Sequence, residues 1–284
     1  MSRRQISGLR ILFTGASQGI GRALALRAAE QGAVVLAAAR SRGLLNDLAR
    51  EAASLGFKIH TVCADVTSQK DRDAMAAAAR RLLGGLDVLV NNAGIGATGH
   101  YVDASQERLR KIMEVNFFGM TETTRTLLSL LKRGNHPAIV NISSIAGKRG
   151  IPARSEYSAS KFAVQGFSEA LRAELAKDGV DVLVVSPGLT QTNFSRNMLE
   201  QKALLQMDHL RGMTAEEVAD ATLRALSKGK AETTLTAKGK LLVFLSRFLP
   251  GVIDRIAAHK IRSLFRGERS VRKFSANHPV LAKS

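Results

Sequence analysis

A tyrosine and a lysine four residues apart, Tyr157 and Lys161, are the side chains of this sequence best suited to proton transfer. Residues spaced i and i+4 on a helix share one face, so the phenol and the ammonium can lie side by side. A free tyrosine has a pKa of about 10, and a fixed cation beside it favours the phenolate and lowers that pKa. The spacing alone is more typical of an exposed helix that carries both residues by chance, so acid–base chemistry needs support from the rest of the chain.

A glycine-rich turn near the start of the chain has the features of a phosphate site. An apolar stretch at residues 9–14 predicts a buried strand, Gly15, Gly19 and Gly21 follow it, and an alanine- and leucine-rich helix is predicted over 22–31. Free N–H groups and the helix dipole attract anions to such a helix start. Gly15 permits the tight turn, Gly19 the approach of a pyrophosphate, and Gly21 close packing of helix on strand. The spacing is G-x-x-x-G-x-G rather than the commoner G-x-G-x-x-G, so the pattern favours nucleotide binding over an ordinary turn but is weak alone.

Six segments, in order between about residues 9 and 225, resemble those of the classical short-chain dehydrogenase/reductase family. They are residues 14–21 (Thr-Gly-Ala-Ser-Gln-Gly-Ile-Gly), 91–94 (Asn-Asn-Ala-Gly), Asn116, Ser144, the Tyr157–Lys161 pair, and residues 187–192 (Pro-Gly-Leu-Thr-Gln-Thr). The resemblance implies an NAD(P)-dependent oxidoreductase that acts on an alcohol or a carbonyl group.

Within this resemblance, four residues are expected to be catalytic: Asn116, Ser144, Tyr157 and Lys161. Carbonyl reduction places negative charge on the oxygen, which then needs a proton donor and a second hydrogen bond, here from Tyr157 and Ser144. Lys161 would lower the pKa of the tyrosine and hold the nicotinamide ribose, and the resemblance implies that Asn116 fixes a water that links Lys161 to solvent. Ser143 competes for the serine role, and the thirteen-residue spacing to Tyr157 favours Ser144.

The cofactor is expected to be NADP(H), with NAD(H) as the alternative. A second predicted strand, 33–39, ends at Arg40, where an acidic residue usually binds the ribose hydroxyls of a cofactor without the 2′-phosphate. A guanidinium suits that phosphate, although a solvated arginine would give the same sequence, and Gln18 stands where some NADP-preferring relatives carry a basic residue. The residues assigned to the cofactor are Gly15, Ser17, Gln18, Gly19, Ile20, Gly21, Arg40, Ser41, Asp65, Val66, Asn92, Ala93, Gly94, Tyr157, Lys161, Pro187, Gly188, Thr190 and Thr192.

The predicted fold is α/β, a single-domain doubly wound parallel sheet of the Rossmann type with about seven strands. The 284-residue chain is 45% hydrophobic, enough for a substantial core, and apolar strands alternate with helical stretches. Residues 1–229 are predicted to form the dinucleotide-binding and catalytic part, and 230–284 the last strand plus a basic amphipathic extension of the same domain. Strands are predicted at 9–14, 33–39, 58–63, 86–90, 138–142 and 181–185, and the resemblance implies a seventh near 232–236 that would complete the sheet of that family.

Three further features bear on location and metals. The single cysteine, Cys63, excludes an intrachain disulfide, suits a reducing compartment and is predicted to be buried and structural. Residues 1–8 lack the apolar core of a signal peptide, so a cytoplasmic location is expected. No metal site is predicted, because the six histidines show no ligand spacing and are interpreted as surface or loop residues; they are His60, His100, His136, His209, His259 and His278.

The basic charge is concentrated at the C-terminal end. The net charge is +18, and residues 230–284 hold twelve Lys or Arg against three Asp or Glu. Residues 240–265 could form an amphipathic helix pair that lies peripherally on an anionic membrane, or a cap over the substrate pocket or a partner subunit, which we slightly favour. Residues 266–284 are expected to be flexible. Nucleic-acid binding is not expected, because the chain has no Trp, few aromatic residues and no recognised motif.

The expected substrate is a small alcohol or ketone, and an apolar one. The resemblance places a substrate lid after Thr192, and its apolar, methionine-rich composition suits such a molecule, or equally a lid that packs on its own core. The resemblance also implies a homodimer or homotetramer paired through the helices that carry Asn116 and Tyr157. A catalytically quiet nucleotide-binding protein, which uses its basic surface to bind membrane or a partner, is the alternative, and the complete catalytic set favours the enzyme. The lid residues are Phe194, Met198, Leu199, Leu204, Leu205, Met207, Leu210 and Met213.

Overall fold

A seven-stranded, fully parallel sheet forms the centre of the protein. The structure is a computed structural model, and it describes residues 4–194, 197–203 and 212–264. The strands of this sheet are β1 (Arg10–Thr14), β2 (Val34–Ala39), β3 (Ile59–Cys63), β4 (Val88–Asn91), β5 (Ala138–Ile142), β6 (Asp181–Ser186) and β9 (Glu232–Thr234), and two short strands, β7 (Thr190–Gln191) and β8 (Met213–Thr214), pair separately. The strand order is β3-β2-β1-β4-β5-β6-β9, because the chain crosses from β3 to the other side of β1, so the predicted doubly wound sheet is confirmed.

Helices cover both faces of the sheet. They are α1 (Gly19–Glu30), α2 (Arg42–Ser54), α3 (Gln69–Ala78), α4 (Gln106–Met113), α5 (Gly119–Leu131), α6 (Ser155–Glu174), α7 (Ala215–Ser227), α8 (Ala237–Phe248) and α9 (Pro250–Leu264). Serine and threonine side chains begin several of them, and Thr214 with Glu217 forms a capping box at α7. Helix α1 begins three residues before the predicted position, so its first turn comes from the glycine loop itself.

The core lies in two layers, one on each side of the sheet. On β1, Ile11 and Phe13 pack on the side of α1, α2 and α7, whereas Leu12 packs on the side of α3, α5 and α6. All three side chains are fully buried. Because helices cover both faces, the central strands are apolar at consecutive positions, which is the reason that they could be recognised from the sequence.

Strand β3 corrects two predictions. Cys63, predicted to be buried, is exposed, and His60, predicted to be a surface or loop residue, lies within the strand and is half-buried. The reason is that β3 is an edge strand, with only β2 beside it. Its last residue, Cys63, therefore points past the covered part of the sheet, with its Sγ 3.2 Å from the carbonyl oxygen of Arg40.

The two C-terminal helices pack only partly on the rest of the protein. Gly239, in the first turn of α8, lies against Ile145, where a Cβ atom would collide, so this turn agrees with the cap interpretation. The remainder of α8 alternates between half-buried and exposed side chains, most side chains of α9 are exposed, and Leu249 separates the two helices. Among the described residues, no helix has the length and apolar character needed to cross a membrane. Residues 265–284, for which flexibility was predicted, lie outside the described part of the chain.

Candidate active site

A large cavity opens at the carboxyl ends of β1 and β4, where the strand order reverses. Its volume is about 1050 Å³. Such switch points are where open parallel sheets bind ligands, because the loops of neighbouring strands diverge there. The glycine loop, the ends of β2, β4, β5 and β6, and the lid segment all border this cavity. Every residue predicted to be catalytic or to bind the cofactor lines it, except Gly21 and Asn116, which lie immediately behind the lining.

Helix α6 and the turn after β5 bring the candidate acid–base group together. Tyr157 and Lys161 lie one turn apart on α6, and the Lys161 Nζ is 5.8 Å from the centroid of the tyrosine ring. That Nζ donates a hydrogen bond to the carbonyl oxygen of Ile142 at 2.9 Å. The Ser144 hydroxyl, just after β5, lies within hydrogen-bonding reach of Tyr157. A carbonyl oxygen placed between Ser144 and Tyr157 would meet two donors, which is the arrangement that carbonyl reduction requires.

Burial controls the titration of both α6 side chains. Burial raises the pKa of Tyr157, and a hydrogen bond from Ser144 and the positive charge of Arg154 offset part of the rise. Burial lowers the pKa of Lys161 to about 8. The predicted lowering of the tyrosine pKa is therefore wrong for this structure, because the cost of burying the phenolate exceeds what the Ser144 hydrogen bond and the Arg154 charge offset. Tyr157 is protonated at neutral pH and can act as a proton donor.

The two adjacent serines have different surroundings. The Ser143 side chain is buried, and its hydroxyl donates to the carbonyl oxygen of Lys161 at 3.3 Å. The Ser144 Oγ accepts a hydrogen bond from the Ala146 N–H at 3.1 Å and faces Tyr157. Ser143 therefore supports the backbone of α6, and Ser144 is the serine directed toward the tyrosine.

Asn116 lies in a π-helical turn, Glu114–Phe118, that joins α4 to α5. Its side chain is buried, accepts from the Ile95 N–H at 2.8 Å, and donates to the Ile95 carbonyl oxygen at 2.9 Å and to the Ser160 Oγ at 3.0 Å. A Cβ atom on Gly94 would lie 3.2 Å from the Asn116 Oδ1 and 3.7 Å from the Lys161 Nζ. Asn116 thus fixes the loop after β4 beside the lysine, and the irregular turn is what directs it inward.

The glycine loop leaves no room for side chains at two positions. Gly15 has φ +65°, and a Cβ on it would lie 2.7 Å from the Ala93 Cα; a Cβ on Gly21 would collide with Gly15 and Asn92. The Asn92 Nδ2 holds the loop by donating to the Thr14 and Gly15 carbonyl oxygens at 3.0 and 3.1 Å. The result is an open backbone surface at the N-terminus of α1, which suits a pyrophosphate.

The far end of the cavity carries Arg40 and Asp65. Arg40 follows β2, its side chain is 68% exposed, and its Nη1 lies 3.8 Å from an Asp65 carboxylate oxygen. The Asp65 carboxylate also accepts from the Thr67 N–H at 2.9 Å. Ser41 accepts from the Leu44 N–H as the cap of α2, so its hydroxyl is directed at the helix start as well as at the cavity.

The described parts of the lid close over the tyrosine and the glycine loop. The Phe194 ring centroid is 5.9 Å from that of Tyr157, and the Asn197 amide donates to the Gln18 Oε1 at 2.9 Å. Strands β7 and β8 pair at the neck of this segment. Phe194, Met198 and Met213 line the cavity, and Leu199 is half-buried. The other predicted lid residues, Leu204, Leu205, Met207 and Leu210, lie outside the described residues.

Sequence reasoning missed two groups next to the tyrosine. Arg154 lines the cavity, and its charge acts on the Tyr157 hydroxyl. Its spacing of three residues from Tyr157 was the available signal, since i and i+3 share a helix face. Arg108 is buried between Glu156 and Glu200, with hydrogen bonds of 2.9 and 3.0 Å. Nothing in the spacing of these three residues indicates that contact.

In the described ranges, no group of three or more His, Cys, Asp or Glu side chains is placed to hold a metal ion.

Comparison with known proteins agrees with this geometry. Residues 10–203 match the family model for short chain dehydrogenases. A bovine protein named dehydrogenase/reductase SDR family member 7B is 35% identical over 263 residues, which cover 89% of this chain and 81% of that protein. The Bacillus subtilis protein named uncharacterized oxidoreductase YxnA is 34% identical over 251 residues, which cover 87% and 70%.

Solved structures show the same fold. A short chain dehydrogenase from Burkholderia cenocepacia in complex with NADP is 30% identical, has a TM-score of 0.77, and covers 89% of this chain and 99% of its own. A Burkholderia phymatum short chain dehydrogenase/reductase in complex with NAD has a TM-score of 0.80 at 24% identity, over 88% and 96%. The family model matches most of the sheet, and the bovine and Bacillus subtilis relatives match nearly all of the chain. The protein therefore belongs to the short-chain dehydrogenase/reductase family of oxidoreductases.

Proposed function

We propose that the protein is an NADP(H)-dependent oxidoreductase that interconverts a secondary alcohol and a ketone, or an aldehyde and its alcohol, with Tyr157 as the general acid and base. The observation that carries the proposal is the half-buried tyrosine that faces Ser144 and lies one helical turn from Lys161, in the same cavity as the glycine loop. A nucleotide-binding protein without catalysis would have no need of this arrangement.

The residues of the cavity fit a nicotinamide cofactor. The close packing at Gly15 and Gly21 leaves a backbone cradle for the pyrophosphate, Arg40 and Asp65 border the adenosine end, and residues 187–192 border the opposite end beside Tyr157. The relative solved with NADP supports the same cofactor type here. When bound, the nicotinamide supplies or accepts the hydride, and the protein positions and polarises the reacting groups.

In the reducing direction, the side chains act on the carbonyl oxygen. Ser144 donates one hydrogen bond to that oxygen, and Tyr157, protonated at neutral pH because burial raises its pKa, donates the proton. As the proton leaves, Lys161 and Arg154 stabilise the negative charge on the phenolate through their own positive charges. In the oxidising direction, the same tyrosine takes the proton from the alcohol. Asn116 keeps the loop after β4 in place beside Lys161.

The Arg40 guanidinium supports the choice of NADP(H) over NAD(H). Its side chain is exposed at the end of β2, where the 2′-position of the adenosine ribose lies in dinucleotide folds of this type. A planar guanidinium forms paired, charge-assisted hydrogen bonds with a phosphate. Asp65 is close enough to orient Arg40.

The substrate that we propose is largely apolar. Phe194, which contacts Tyr157, lines the cavity together with Met198, Met213 and Leu242, and such side chains gain from burying an apolar molecule. Among the residues described around the tyrosine, Arg154 adds a cationic side chain to this wall. A panel of apolar ketones, aldehydes and alcohols, with cofactor absorbance as the readout, would identify the substrate class.

Replacing Tyr157 with Phe tests the proposal. We expect turnover to fall by about 10²-fold or more, the usual contribution of general acid catalysis, while cofactor affinity measured by fluorescence titration changes little. The matched control is Tyr101→Phe, because Tyr101 is the other tyrosine of the chain and is 67% exposed. Turnover by Tyr157→Phe above about a tenth of the wild-type rate would contradict the assigned role.

We also propose that the protein is a homodimer or homotetramer in the cytoplasm. Phe118, immediately before α5, and Phe162, on α6, are 49% and 45% exposed. Both flank the catalytic residues on the helices expected to pair, and burial between subunits would remove them from water. The exposed thiol of Cys63 suits a reducing compartment.

A further inference from the structure

Half of the large hydrophobic side chains that the described chain leaves exposed lie on the helix pair α8–α9. We call them the C-terminal apolar stripe, and they are Leu241, Phe244, Phe248, Leu249, Val252 and Ile256, with exposed fractions between 46% and 64%. The Phe244 and Phe248 ring centroids are 4.7 Å apart, so the surface is continuous across one turn. A contiguous apolar surface of this kind marks a binding face rather than ordinary scatter of exposed residues.

Basic side chains flank the stripe on both helices. The stripe residues of α8 are spaced i, i+3 and i+7, which places them on one face. At 100° per residue, Lys240 and Arg247 fall on one side of that face and Lys238 on the other. On α9, Arg255 and Lys260 flank the stripe in the same way. Long basic side chains beside an apolar face can extend to lipid headgroups while the apolar residues enter the acyl region.

The positive charge of α8 and α9 favours an anionic binding partner for the C-terminal apolar stripe. Helices α8 and α9 carry six Lys or Arg and one acidic residue, Asp254, and Asp254 is already paired with Arg149. A second copy of the chain would bring two strongly basic surfaces together, which like-charge repulsion opposes. Residues 265–284 cannot neutralise the face either, since they add five Lys or Arg and one Glu. An anionic lipid surface offers both the apolar interior and the opposite charge.

We propose that the C-terminal apolar stripe docks on the surface of an anionic membrane. The first part of the same helix borders the cavity, through Lys238, Gly239 and Leu242. Docking therefore places the α8 wall of the cavity next to lipid, where an apolar substrate is concentrated. This last step rests on the proposed function, whereas the docking itself does not depend on catalysis.

Vesicle sedimentation of the full-length chain tests the docking. The vesicles are phosphatidylcholine alone, or phosphatidylcholine with about one third phosphatidylglycerol, at about 0.05 M and 0.5 M salt, since salt screens surface charge. The triple variant Leu241→Ser, Phe244→Ser, Phe248→Ser removes the stripe of α8 without touching Gly239 or Leu242. The matched control is Val102→Ser, because Val102 is 87% exposed in a different part of the protein.

We expect the wild type, Val102→Ser and Tyr157→Phe to bind anionic vesicles at low salt and to dissociate at high salt. We expect the triple variant to lose at least about tenfold in vesicle affinity, with an unchanged melting temperature because the replaced side chains are exposed. Three results would overturn the proposal: no wild-type binding to anionic vesicles, equal binding by the triple variant, or a triple variant that changes oligomeric state instead, which would assign the stripe to a second copy. Vesicle binding by an inactive Tyr157→Phe variant separates this inference from the proposed function.

Discussion

At the scale of single residues, the cost of burial dominates the candidate site. Lys161 is buried and Tyr157 is half-buried in the cavity wall, and burial shifts both pKa values toward the neutral form. Perturbed groups of this kind are frequent at catalytic sites, because a shifted pKa holds a proton where the reaction needs it.

The lysine makes stability depend on pH. In the folded protein its pKa is about 8, against 10.5 for the unperturbed group, so the unfolded chain holds this proton more tightly. Between these values folding releases the proton, and the folded state gains stability as the pH rises through about 8. We expect the free energy of unfolding of the wild type, relative to Lys161→Met, to increase by about 1 kcal/mol between pH 7 and 9. Urea unfolding of both proteins at the two pH values measures it, and a constant difference would show that the lysine carries no such shift.

Arg40 controls cofactor choice in the proposed function. Replacing it with Asp removes the phosphate partner and adds repulsion, so we expect NADPH affinity to fall by about tenfold or more while NADH affinity changes much less. Arg42→Asp is the matched control, because Arg42 is a neighbouring exposed arginine in the first turn of α2. Fluorescence titration with both cofactors decides the matter. An unchanged NADPH/NADH preference in Arg40→Asp would place the phosphate elsewhere.

At the scale of elements, the lid is attached to the body at two places. Its neck is closed by β7 and β8, and residues 199–202 run beside 96–99, with the Thr98 N–H donating to the Glu200 carbonyl oxygen at 2.8 Å. The buried Arg108 links Glu200 on the lid to Glu156 on α6, next to the catalytic tyrosine. This ion pair therefore connects the lid to the helix that performs the chemistry.

Removing the Arg108–Glu200 ion pair and removing the Arg108–Glu156 ion pair should have different effects. Glu200 is partly exposed, so Glu200→Gln should leave the melting temperature within a few degrees but increase amide hydrogen exchange in 199–202 by about tenfold, the equivalent of about 1.4 kcal/mol. Glu156→Gln is the comparison. It leaves Arg108 without its buried partner, so it should lower stability by about 3 kcal/mol. Unchanged exchange in Glu200→Gln would mean that the backbone pairing alone holds the lid.

At the scale of the whole molecule, the exposed phenylalanines of the described residues lie on two separate surfaces. Phe118 and Phe162 lie beside the catalytic helices, and Phe244 and Phe248 lie on the C-terminal apolar stripe. The proposals assign the first surface to subunit pairing and the second to lipid, so the two can be tested separately.

Subunit pairing through the catalytic helices predicts that Phe162→Glu shifts the protein toward monomer, because a charge would be buried at the interface. Light scattering after gel filtration measures the mass. Phe244→Glu is the matched control and should leave the mass unchanged. Dissociation by Phe244→Glu, with no effect of Phe162→Glu, would move the interface to the C-terminal helices and contradict both assignments.

The sequence by itself determined six strands and their parallel arrangement, because strands buried on both faces are largely apolar, and it determined the family, because the glycine loop and Tyr157–Lys161 are local patterns. The polar seventh strand, β9, was expected only from the resemblance to that family. Spacing also favoured Ser144 over Ser143, and the structure directs only Ser144 at the tyrosine. Local patterns do not show how deeply a side chain is buried. Only the tertiary structure therefore decided that burial outweighs positive charge in setting the pKa of Tyr157, and that Cys63 is exposed on an edge strand. The tertiary structure also decided two contacts between segments that are distant in sequence. Arg108 meets Glu156 and Glu200, and one face of α8 lines the cavity while another carries the exposed stripe.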